Sequence, residues 1–183
     1  MSVLEKRIAY LGLADIDYLS ARLLLLSGLV TTGFPKAAEA FEKLLKLFLL
    51  LEAKISSNIE LTEKQMKAYS HNLIKLFDVV KSKIPNTHFD QSWDDYFKTL
   101  QDSYTRRYPE NWTVFQITYS LEQLDKGYVF FRNGVIGNFP PEEQSRVREF
   151  GTFIYDAYRG DRSKIIKDAG SLTPAEIFKM RNN

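Results

Sequence analysis

Two histidines, a pair of adjacent arginines and one arginine set in an apolar run are the side chains of this sequence best suited to acid–base or anion chemistry. His71 and His88 are its only imidazoles, and so its only side chains that titrate near neutral pH in ordinary surroundings. His71 lies in Ser70-His71-Asn72-Leu73, ahead of an apolar face, where Ser70 can also be read as a helix cap. His88 falls in the loop from Pro85 to Asp90 with no obvious partner.

Arg106-Arg107, followed by Tyr108-Pro109, offers two guanidinium forks for a phosphate or carboxylate and a ring for stacking. The alternative is a solvated or ion-paired surface pair. Arg132-Asn133 lies between Phe130-Phe131 and Val135-Ile136, so its charge enters an apolar segment where leaving it unpaired is costly. A partner or an interface is expected at Arg132.

Other chemistries are excluded by what the chain lacks. It has no cysteine, which removes disulfides, thiolate metal sites and thiol nucleophiles and fits a cytoplasmic setting. Neither Glu-x-x-His nor His-x-x-x-His spacing occurs, so no metal is expected. No Gly-x-x-x-x-Gly-Lys loop occurs either, so no cofactor is expected and any nucleotide would be held by side chains. With 25 Lys plus Arg against 23 Asp plus Glu, the net charge of +2 gives no overall field toward nucleic acid or membrane, although local patches can still bind anions. The runs Leu23–Leu26 and Leu47–Leu51 are too short to span a bilayer, and nothing at the N-terminus resembles a secretory signal.

The elements that must position these residues are helices. Apolar residues recur at three- and four-residue spacing from Leu4 to Ser27, with Gly28 and Gly33 punctuating the end. Pro35 suits a first turn, and Lys36 to Ile55 forms the next helix, apolar on several sides through Phe41 to Leu51. Thr62 with Gln65 reads as a capping box for a third helix running to about Lys83, and Ser92 with Asp95 as the box of a fourth that ends before Tyr108-Pro109. A fifth helix is predicted from after Asn111 to near Asn133-Gly134, with Arg132 at its exit, and a sixth from Phe139-Pro140 to about Tyr158. No repeat or strand-like alternation interrupts them. The fold class is therefore all-α: an antiparallel up-and-down bundle of about five to six main helices. Residues 1–162 form the bundle, and 163–183 an extension with a short helix after Thr173-Pro174.

Three segments resemble the HEPN family (higher eukaryotes and prokaryotes nucleotide-binding) of helical bundles. They are Ala14-Asp15-Ile16-Asp17-Tyr18-Leu19 through Arg22, the alanine-rich Pro35 to Lys46 with Glu42-Lys43, and Ser70 to Leu76. Arg107-Tyr108-Pro109 is similar to a turn of small members, and Arg132-Asn133 to the start of the family's ribonuclease signature Arg-Asn-x-x-x-His. The resemblance covers roughly Ala14 to Asn138. In family ribonucleases it implies an arginine stabilising the phosphate and a histidine moving the proton, without metal, across a dimer interface. Here Gly137 occupies the histidine position.

The leading expectation is thus a non-catalytic HEPN-like binding module, dimeric because its central helix is apolar all round. It would hold a nucleotide, RNA or a protein partner through Arg106, Arg107, Tyr108, Arg132, Asn133 and His71, with no membrane involved. The alternatives are a metal-independent endoribonuclease of toxin type, using Arg132 and His71 as catalytic residues, and a structural adaptor. The adaptor reading gains if the arginines prove scattered and ion-paired.

Overall fold

Ser2 starts the first helix: its hydroxyl accepts from the Glu5 amide while the Glu5 carboxylate accepts from the Ser2 amide, a reciprocal capping box. In the computed structural model, which describes residues 2–148 apart from 62–64, 66–68, 70, 85–86 and 107–120, and for Thr105, Arg106 and Glu122 the backbone only, this helix, α1, spans Val3–Leu26. Gly28 then turns the chain at φ 73°, a left-handed angle open to glycine without strain.

Helix α2 spans Val30–Ser57. Its start corrects two expectations. Pro35 is inside the helix rather than in its first turn, and Gly33 belongs to α2 rather than to the turn. The carbonyl that Pro35 cannot satisfy belongs to Thr31, which is exposed, so water can take the missing donor's place. Gly33 has a packing role: a Cβ there would stand 2.7 Å from Leu25 Cγ and 3.2 Å from the Leu25 backbone nitrogen. Gly33→Ala should therefore lower the melting temperature, although alanine gains about 1 kcal/mol over glycine in an open helix. The expected net loss is about 1–3 kcal/mol, the usual cost of overpacking. Asn58, at φ 50°, closes α2 in the left-handed position.

The helix predicted over 62–83 is not continuous. Tyr69 and His71 lie in a turn, and helix α3 spans Leu73–Lys83, capped by the Asn72 side chain on the Lys75 amide rather than by Ser70. Helix α4 spans Gln91–Arg106. Asp90 caps it, accepting from the Ser92 amide, so the cap lies two residues before the predicted Ser92. Helix α5 spans Leu121–Gly137 and runs past the predicted end at Asn133-Gly134, leaving Arg132 more than a turn inside the helix rather than at its exit. The sixth helix, α6, covers 141–148. Gln144 joins it to α5 by donating to the Gly137 and Phe139 carbonyls at the end of that helix. The expected end of α6 near Tyr158 and the 163–183 extension lie outside the described residues.

All elements among the described residues are helices. The bridge from Arg7 to Glu60 pairs the start of α1 with the chain just beyond α2, so the two helices are antiparallel. The Lys81–Asp94 bridge and the Gln101 side chain on the Leu73 amide fix α3 and α4 antiparallel in the same way. α3 runs in the direction of α2, with His71 beside Glu42 and Lys83 beside Glu52. Helix α2 is thus the axis of the bundle, touched by α1, α3, α4 and α5. Its Ala37, Phe41, Leu44, Leu45, Leu47, Phe48 and Leu51 are buried against these neighbours. The apolar breadth that suggested a dimer is therefore covered within one chain. None of the described helices is long and apolar enough to cross a membrane.

Candidate functional site

A helix that buries its apolar stripe buries whatever else lies on it. Ala38, Glu42, Leu45 and Leu49 are spaced four, three and four residues apart, so one face of α2 carries a carboxylate into the bundle. Three donors meet it. Lys46 Nζ lies 2.6 Å from Oε1, and Tyr104 Oη from α4 and His71 Nδ1 each lie 3.0 Å from Oε2. Burial opposes the charge on Glu42, but the hydrogen bonds from Lys46, His71 and Tyr104 outweigh it and hold this carboxyl below its ordinary 4.5. Tyr10 of α1 lies in the same field. Desolvation, with the charges of Glu42 and Asp17, pushes its phenol up to about 12. Asp17 is itself bridged by Lys36 and Lys43 of α2.

The sign of the Glu42 shift sets a pH dependence. A carboxyl with a depressed folded pKa adds stability that is complete above the unfolded value and is lost as pH falls through the folded one. Stability should therefore decline on acidification below about pH 4.5, where an unfolded glutamate protonates. Glu42→Gln should flatten that part of the urea-denaturation profile while lowering stability at neutral pH.

A second network joins α1 to α5. Arg132 forms a two-pronged bridge to Asp15, Nε to Oδ1 at 2.8 Å and Nη2 to Oδ2 at 2.9 Å, and Tyr128 donates to the same carboxylate at 2.7 Å. Tyr18 stacks on Tyr128 with centroids 4.1 Å apart and donates to Asp125, which also receives Arg22. The side chains of Arg132 and Asp15 are 10% and 3% exposed. The partner expected for Arg132 is therefore Asp15 of the same chain.

These two networks separate the predicted site residues. His71 is 74% exposed and belongs with Glu42 and Tyr104, its ring centroid 6.0 Å from that of Tyr104. Arg132 belongs with Asp15, and Asn133 beside it is exposed. Arg106 ends α4 two residues after Tyr104, so the arginine-bearing end of that helix is the end that meets His71. Arg107 and Tyr108 lie outside the described residues. Gly137 is exposed at the end of α5, and a Cβ there would meet nothing within 4 Å. His88 is exposed beside Asp90.

Sequence reasoning missed Glu42, Lys46 and Tyr104 as parts of one site. The signal open to it was a carboxylate on the inward stripe of α2, with a lysine four residues on to pair with it. No three or more His, Asp or Glu side chains are gathered for a metal ion among the described residues. Chemically, the cluster is a buried, ionised carboxylate orienting a solvent-facing imidazole, with a tyrosine hydroxyl alongside. It can bind a polar group or exchange a proton through His71. No family model matches this chain, and neither does any curated protein or solved structure.

Proposed function

We propose that this chain is a non-catalytic, HEPN-like helical binding module that takes an anionic partner, a nucleotide or RNA phosphate, at the pole formed by His71, Glu42 and the end of α4. The observation that carries the reading is the exposed imidazole of His71, held by Glu42 at the end of the bundle where α4 finishes in Arg106. Lys46 balances the charge of Glu42, so the carboxylate does not by itself repel an anion. Arg132 drops out of the ligand set because Asp15 occupies its guanidinium. A homodimer would use a face other than α2, and Leu13 and Ile16, exposed one turn apart on α1, are open to it.

The test is anisotropy of a labelled short single-stranded RNA at several salt concentrations. A double substitution R106A/R107A should weaken binding and reduce the salt slope by about 0.7 for each phosphate that the arginines no longer neutralise. An unchanged slope overturns the reading.

The Glu42–His71 pair also favours a second reading, metal-independent RNA cleavage of toxin type with His71 as the proton carrier. RNA that stays intact with the protein in chelator rules it out, and cleavage abolished by His71→Ala supports it. The adaptor reading draws on the ion-paired state of Arg132.

A further inference from the structure

We infer that Glu42 is a positioning residue that holds His71 as the Nδ1–H tautomer, so that Nε2 is the atom offered to a ligand and its protonation sets the affinity of this pole for phosphate. The tautomer follows from the donors around one carboxylate. An ionised carboxylate can only accept, so the hydrogen in the 3.0 Å contact between His71 Nδ1 and Glu42 Oε2 belongs to the imidazole. Lys46 on Oε1 and Tyr104 on Oε2 are both donors, which keeps Glu42 an acceptor. With Nδ1 committed, Nε2 is the remaining ring nitrogen of a side chain that is 74% exposed.

A neutral Nε2 accepts a hydrogen bond, and so does a phosphate oxygen; the two have no hydrogen to share. Once Nε2 takes up a proton, it becomes a charged donor to the same oxygen. A proton on Nε2 of His71 therefore favours phosphate binding at this pole. Among the described residues, Glu42 of α2 and Tyr104 of α4 face that ring, and Lys46 of α2 and Tyr10 of α1 lie in the field of Glu42. Neither Glu42, with its depressed pKa, nor Tyr10, raised to about 12, changes charge in the neutral range.

The ligand half of this inference rests on the binding reading above, whereas the tautomer half does not. Long-range 1H–15N correlation spectra of the labelled wild-type protein, recorded at alkaline pH, should show a pyrrole-type Nδ1 and a pyridine-type Nε2 for His71. The reverse pattern overturns the tautomer assignment without recourse to any variant, and Glu42→Gln should shift the balance toward the other tautomer.

For the ligand half the probe is a short oligouridylate, whose phosphodiesters and bases keep their charge between about pH 8 and pH 5.5, the range in which an imidazole titrates. Its affinity should rise about tenfold across that range, the size of one charge-assisted hydrogen bond. His71→Asn, which keeps a donor for Glu42, should flatten the profile. An RNA that binds equally well at both pH values overturns the proton linkage and leaves the binding reading standing. An RNA that binds at neither, even at low salt, overturns the binding reading together with the linkage.

Discussion

Replacing Arg132 with methionine is expected to lower the unfolding free energy by about 3–5 kcal/mol, the loss that follows when one member of a buried ion pair is removed. The size follows from what remains. Asp15, 3% exposed, would keep only the hydroxyl of Tyr128 as its described donor and would have to stay charged without its cation or take up a proton. The companion variant makes the cause explicit. Asp15→Leu and Tyr128→Phe combined with Arg132→Met should recover much of the loss, because an apolar set of similar volume fills the space between α1 and α5 without the desolvation penalty and leaves no Tyr128 hydroxyl without its Asp15 acceptor. Urea denaturation with an unchanged m-value is the measurement. A loss below about 1 kcal/mol for the single variant, the level of a surface pair, would show that the bridge does not hold the helices together. An arginine that served only a ligand would instead reduce affinity at constant stability.

The second large effect is expected at Phe41. Its ring is fully buried and makes edge contacts with Tyr96, Phe97, Tyr128 and Phe131, at centroid distances of 5.8, 5.2, 6.1 and 6.2 Å. One side chain of α2 thereby ties α4 to α5. Phe41→Ala should cost about 3–5 kcal/mol, the transfer of a large ring plus the cavity it leaves. The cavity should not close easily. Gly127 of α5 already approaches so closely that a Cβ there would lie 3.1 Å from Phe41 Cζ and 3.1 Å from Trp93. Filling by neighbours is also limited, because Phe77 and Phe97 are stacked on each other at 4.0 Å. A calorimetric or urea series with Phe41→Leu between wild type and Phe41→Ala should rank by the volume removed.

The helices were legible where the signals are local. Periodicity predicted α1 to within a residue or so at each end, and the Ser2–Glu5 box that starts it was present in the residue order. Asn72 and Asp90 replaced the predicted caps because several short polar residues stand together at each boundary, Ser70 to Asn72 and Asp90 to Ser92, and each can bond the first free amides. The backbone geometry of the turn decides which one does. Pro35 misled for a similar reason: it usually marks a first turn, but here an exposed carbonyl one turn back tolerates it inside a longer helix.

By itself the sequence determined that the described chain is helical, that the first helix turns one apolar face inward, and that Arg132 needs a partner. All three follow from contacts within three or four residues, or from the cost of burying a charge. The partners were decided only by the tertiary structure. Asp15 is 117 residues from Arg132, while Glu42 is 29 residues from His71 and 62 from Tyr104. Which carboxylate meets which donor depends on how far each helix is rotated and slid along its neighbours, and the whole core sets that jointly. Arg132 thus became a bolt between α1 and α5, and His71 the exposed tip of a site centred on Glu42.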